Sequence, residues 1–169
     1  MDAPRRNAII AFGSNLGDRA ATIKQAANEV ADLGGTVLLK LSPLYESAAV
    51  KPEGVDLDAP EYLNAVALIS TDLPPEALLA ELNGIEQDHG RERHERWGDR
   101  TLDLDIIWMD GVEMETEHLT IPHPRAFERS FVVVPWNDVQ PAAVVEPHGA
   151  IAALAEKFSD ELHRFEVSA

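Results

Sequence analysis

The chain has 169 residues, enough for one domain with its own core and too few for two comfortable ones. Its 30 acidic and 14 basic side chains give a net charge of −16 at pH 7, which argues against a nucleic-acid or anionic-membrane surface. It has 45% hydrophobic residues and no cysteine. No apolar run approaches the roughly 20 residues of a spanning helix, and no basic start leads into an apolar block. The expectation is therefore a single cytoplasmic domain over residues 1–169, without disulfides or thiolate chemistry.

Asn7 to Phe12 reads as a short apolar strand, and Gly13-Ser14-Asn15-Leu16-Gly17-Asp18 as the turn into a helix. That helix carries Ile23, Ala27, Val30 and Leu33 at helical spacing and stops at Gly34-Gly35. A strand runs from Thr36 toward Tyr45, and Glu46 to Pro60 is a connection long enough to suggest a functional loop. Tyr62 to Thr71 is a third strand. Pro74-Pro75 open a helix with Leu78, Leu82 and Ile85 on one face, ending near His89-Gly90. After an arginine-rich stretch, Leu102 to Met109 reads as a strand, followed by a turn at Gly111, the segment Ile121-Pro122-His123-Pro124, and an apolar strand at Phe131 to Val134. Ile151, Leu154, Ala155 and Phe158 mark a short amphipathic helix. The order βαββαβ predicts a ferredoxin-like α+β sandwich, an antiparallel sheet with helices on one face and additional C-terminal elements. Such a fold hosts many activities, so the site must select among them.

Along Leu102 to Met109 the side chains alternate. Leu102, Leu104, Ile106 and Trp108 are expected on one face and Asp103 and Asp105 on the other, with aspartate Cα atoms about 6.6 Å apart. Two carboxylates projecting together from an apolar strand repel one another and resist ionising unless a cation compensates them. Magnesium suits such a pair, completing its shell with water and phosphate oxygens. An isolated D-x-D is more often a solvated strand face. Here the cations just upstream alter the balance. Six of the ten arginines lie between Arg91 and Arg129, and four of those between Arg91 and Arg100. Guanidinium forks match phosphate oxygens, and phosphoryl transfer needs mainly positioning and charge stabilisation. A solvated loop with ion pairs to Glu92 and Glu95 would not explain why the arginines directly precede the acids.

Glu86 lies beside the apolar stripe of its helix, placed either to meet a base or ribose or to pair with Arg91 or Arg93. His123 between two prolines can hydrogen-bond a phosphate or serve as a turn residue. Tyr62 and Asn64 share a strand face, a ring beside an amide that suits a flat heterocycle but also ordinary packing. Neither G-x-x-x-x-G-K-[ST] nor G-x-G-x-x-G is present, so a P-loop kinase and a Rossmann dehydrogenase are unsupported. A different two-metal nucleotidyltransferase or phosphohydrolase, and a nucleotide-binding regulatory module, remain open on these residues.

The run Arg96-Trp97-Gly98-Asp99-Arg100-Thr101-Leu102-Asp103-Leu104-Asp105-Ile106 resembles the 6-hydroxymethyl-7,8-dihydropterin pyrophosphokinases. Gly13 to Asp18, Tyr62-Leu63-Asn64-Ala65, Ile85-Glu86, Ile121 to Arg125 and Arg129-Ser130-Phe131 extend the resemblance in order to about Pro141. It implies transfer of pyrophosphate from ATP to the pterin hydroxymethyl group, attack at the β-phosphorus and loss of AMP, in folate biosynthesis by a monomer. Asp103 and Asp105 would hold two magnesium ions, and Arg91 and Arg100 would act on the transferring group. Glu86, Arg93, Trp97 and His123 would hold ATP. Tyr62 and Phe131 would sandwich the pterin, Asn64 would read its edge, and Arg129 would touch the same pocket. The stretches Glu46 to Pro60 and Gly90 to Arg100 would close over the substrates. The chain departs from the family pattern at Asp99, commonly proline, at Asn83, frequently glutamine, and in the loop from Ser47 to Pro52.

Overall fold

The computed structural model describes residues 5–14, 19–47, 50–51, 54–55, 62–91, 102–146, 148–158 and 163–164. Arg93, Trp97 and Arg100, with the rest of 92–101, lie outside them, as do most of 48–61 and the turn at 15–18.

In chain order the elements are β1 (Arg6–Ser14), α1 (Arg19–Ala31), β2 (Thr36–Leu41), β3 (Tyr45–Ser47), β4 (Val50–Lys51), β5 (Gly54–Val55) and β6 (Tyr62–Thr71). Then follow α2 (Pro75–Glu86), a π-helical turn Gln87–Arg91, β7 (Asp103–Met109), β8 (Met114–Glu115) and β9 (Thr120–Ile121). A 3-10 turn Ala126–Glu128, α3 (Ser130–Val139), β10 (Val144–Val145), β11 (Gly149–Ala150), α4 (Ile151–Lys157) and β12 (His163–Arg164) complete the order. None of the described helices is long and apolar enough to cross a membrane.

The main sheet is antiparallel, in the order β12-β3-β6-β1-β7, with β2 also paired to β6. β1 and β6 lie at its centre, and their apolar alternation explains why: neither face of either strand meets water over most of its length. Ala8, Ile10 and Phe12 of β1 join Leu63, Ala65, Ala67 and Ile69 of β6 beneath Ile23, Ala26, Ala27 and Val30 of α1 and Leu78, Leu82 and Ile85 of α2. The local punctuation behaves as its chemistry demands. Gly35 adopts φ 71° after α1, and a Cβ there would run into the Asp72 carboxylate. Pro74 in extended conformation caps α2, and Pro75 opens it where no donor is needed.

The other face is also covered. Ile9, Val66 and Ile107 pack against Val132, Val133, Trp136 and Val139 of α3 and Ile151 and Ala155 of α4. Helices therefore lie on both sides of the sheet, where the sequence suggested one. The cause is that Phe131 to Val134 is not a strand but the first turn of α3. The β-branched run reads as extended locally, yet the buried set Val132, Val133, Trp136 and Val139 has helical spacing once the window reaches Val139. Pro135 sits inside this helix and removes one backbone donor without ending it.

Two smaller differences follow from irregular backbone. The register between β1 and β7 shifts between Ile9 and Ile10, so strict alternation fails beyond Ile106, and Trp108 turns to the α3 side, 6.4 Å from the ring of Trp136. Within the stretch expected to be a long functional loop, β4 and β5 form a short ribbon.

Candidate active site

The register puts three key positions in one row across the sheet. Gly13 of β1 pairs with Asn64 of β6 on one side and with Asp103 of β7 on the other. Directly paired residues project to the same face, so Asn64 and Asp103 flank a position with no side chain, about 10 Å apart at their Cα atoms given strand spacings near 4.8 Å. Asp105, paired with Ala11, is the next residue on that face of β7. The prediction that the two aspartates emerge together thus holds, on the α3 side of the sheet. Asp105 is exposed and Asp103 half-buried.

Glu86, at the end of α2, is only 4% exposed. Its Oε2 accepts a hydrogen bond of 2.8 Å from the Leu104 N–H, the amide between the two aspartates. That bond fixes the β7 backbone where the acidic pair leaves it. His123 reaches the same strand from the other direction: its backbone N–H donates to the Ile107 carbonyl at 2.8 Å. The Arg125 N–H donates to His123 Nδ1 at 3.2 Å, which leaves the proton of the neutral ring on Nε2, free to donate outward. Burial holds the imidazole below the ordinary histidine value; Asp105 opposes that shift, and Arg129 and Arg125 reinforce it. His123 is thus within electrostatic reach of Asp105 and of two cations.

At the other end of the row, Asn64 is 4% exposed and its amide donates to the Tyr45 carbonyl at 3.3 Å. Tyr45, paired with Asn64 across β3 and β6, sends its hydroxyl to the Asp138 carboxylate of α3. This strut ties the sheet to the helix that carries Phe131 in its first turn, with the Arg129 guanidinium 5.8 Å from the Phe131 ring. Tyr45 and Asp138 were missed in the sequence, because a contact between residues 93 apart leaves no local pattern. Gly13 was read only as a turn residue; its place in the row is visible only through strand register. Tyr62 belongs to β6 opposite Ser47, and Arg91 closes the π-helical turn.

Among the described residues no group of three His, Cys, Asp or Glu could hold a metal ion by itself. The donor chemistry fits a magnesium ion bound by one or two carboxylates and completed by substrate oxygens and water, rather than a site closed by protein. A cavity of about 440 Å³ lies between the β8–β9 ribbon and the turn at His148, with Pro122 and Pro124 on either side of His123 in its lining. Its rim carries Glu113, Glu115 and Glu146, the wrong sign for a triphosphate.

Residues 9–141 match the family of 7,8-dihydro-6-hydroxymethylpterin-pyrophosphokinases (HPPK). The 2-amino-4-hydroxy-6-hydroxymethyldihydropteridine pyrophosphokinase of Haemophilus influenzae is 40% identical over 153 residues, 90% of this chain and 93% of that protein. The Bacillus subtilis protein of the same name is 40% identical over 132 residues, 78% of this chain and 77% of its own. In fold, the chain is similar to wild-type HPPK-DHPS of Plasmodium falciparum solved with pterin and p-hydroxybenzoate, with a TM-score of 0.71, 15% identity and 99% of this chain covered. It spans only 46% of that solved chain. By the family match and the identity to these bacterial proteins, the chain belongs to the HPPK family.

Proposed function

We propose that this chain transfers the pyrophosphoryl group of ATP to the hydroxymethyl group of 6-hydroxymethyl-7,8-dihydropterin, releasing AMP, as a step of folate biosynthesis. The names of the bacterial relatives describe this reaction. The observation that carries the reading here is the row Asn64, Gly13, Asp103: an amide for a heterocycle edge and a carboxylate for a metal, separated by a residue that leaves the floor bare.

In this reading Asn64 fixes the pterin edge, while Tyr62 and Phe131 hold its two faces and Arg129 borders the pocket. Asp103 and Asp105 would hold two magnesium ions, which would supply positive charge against the ATP phosphates. Arg91 and Arg100 stabilise charge on the transferring group, and Arg93 and Trp97 hold the nucleotide. His123, kept neutral by burial, donates from Nε2 to a phosphate oxygen. Glu86 serves ATP through the β7 backbone, its carboxylate being engaged with the Leu104 amide. The pterin hydroxyl oxygen bonds to the β-phosphorus and releases its proton to solvent, the bond from that phosphorus to the α-bridging oxygen breaks, and AMP departs with that oxygen. Strand order and the two βαβ halves support a ferredoxin-like core with α3 and α4 added on its second face. One chain supplies every proposed group, consistent with a single domain over 1–169 acting as a monomer.

The test is to incubate the purified chain with magnesium, ATP and the hydroxymethyl-dihydropterin and to quantify nucleotide products. Equal amounts of AMP and pterin pyrophosphate are expected. ADP as the nucleotide product would show attack at the γ-phosphorus and overturn the reading.

A further inference from the structure

The end of α2 is fastened at two points. Glu86 holds it to β7 through the Leu104 amide. Three residues later, His89 Nε2 lies 2.6 Å from Glu29 Oε2 of α1. A carboxylate only accepts, so the histidine donates from Nε2. The pair is not a loose surface contact: the His89 side chain is 11% exposed and that of Glu29 33%. Glu29 lies next to Val30, whose side chain is fully buried in the layer that joins α1 to α2, so its own backbone is anchored.

Between these fastenings the helix changes form. The α-helical ladder ends at Glu86, and Gln87–Arg91 continue as a wider π-helical turn. That geometry is uncommon and frequently accompanies functional positions. A π turn rotates each following residue away from the direction an α-helix would give it. Here the residue that closes the turn is Arg91, two positions after His89. His89 bonds through its side chain to another element of the fold.

We propose that Glu29 and His89 are positioning residues for the transfer step: their bond sets the π-helical turn that ends at Arg91, the residue to which the proposed reaction gives the transferring group. The inference rests on the reaction proposed above and adds to it a residue on α1 that touches no substrate. Asp88, the remaining ionisable residue of the turn besides Arg91, is exposed.

The experiment is a double-mutant cycle in the full chain. Glu29→Ala and Glu29→Gln are each made in the wild-type and in the Arg91→Ala background, with kcat, KM for ATP and pterin, and thermal unfolding recorded. Glu29→Ala is expected to lower kcat roughly tenfold, in keeping with the cost of a misplaced catalytic group, and to leave KM for the pterin unchanged. Glu29→Gln retains an oxygen acceptor and should recover most of the loss. In the Arg91→Ala background Glu29→Ala should change kcat by less than about twofold, because coupled residues are not additive. Equal losses in both backgrounds, or a lowered melting temperature with wild-type kcat, would overturn the proposal. If Glu29→Ala fails to fold, Glu29→Gln and His89→Asn complete the same cycle, and additivity there overturns it equally. A wild-type chain that makes no AMP removes the underlying reaction and this inference with it, whereas AMP formation with additive losses removes the inference alone.

Discussion

Glu86→Ala is the most informative single substitution. It removes the acceptor of the 2.8 Å bond from the Leu104 amide, at a site where Leu104 is 3% and Glu86 4% exposed. A buried amide left unpaired costs about 1–3 kcal/mol, and a carboxylate acceptor places the loss in the upper part of that range. Removing a partly desolvated charge offsets some of it, so a net cost of about 2 kcal/mol is reasonable. For a chain of this length that corresponds to a fall in Tm of about 4–8 °C. Glu86→Gln keeps an oxygen for the amide and should lose less than half as much. Scanning calorimetry gives the stabilities, and hydrogen exchange at Leu104 reports the bond itself: exchange should accelerate in the alanine variant and remain slow in the glutamine one. Unchanged protection at Leu104 in Glu86→Ala, together with a Tm within about 1 °C of wild type, would refute the reasoning.

In metal-free protein, stability should fall as the pH drops below about 6.5, the ordinary histidine value, because the unfolded state takes up a proton that folded His123 resists until its own lowered pKa is reached. The contribution is complete above that window, and His123→Gln should flatten this part of the Tm profile; an unchanged slope would show that His123 does not cause it. Trp136 is fully buried, 5.8 Å from Phe127 and 6.4 Å from Trp108. Its replacement by alanine should cost about 3–5 kcal/mol in urea unfolding. A loss near zero would mean that the α3 layer is not part of the cooperative core.

The acidic pair was legible because strand alternation has a period of two and the bulge begins only after Ile106. Trp108 lay past that point, so the same rule placed it on the wrong face. The helix at Ser130–Val139 was hidden by Phe131-Val132-Val133-Val134, whose local preference is extended and whose helical period appears only with Trp136 and Val139. The order of strands and helices was readable from hydrophobic runs and their punctuation, but the second helical layer depended on that hidden helix. The bonds that orient the site were not readable at all. Tyr45 to Asp138 and His89 to Glu29 join residues 93 and 60 positions apart, and nothing in either neighbourhood announces the partner.

The central claim is that Asp103 and Asp105 act together on one ion cluster. The direct measurement is a titration with manganese, followed by its paramagnetic resonance signal, in the presence of a non-hydrolysable ATP analogue and the pterin. Wild type should bind two ions per chain, while Asp103→Asn and Asp105→Asn should each lose tight binding of at least one. Both variants binding manganese with the number and affinity of wild type would contradict the account.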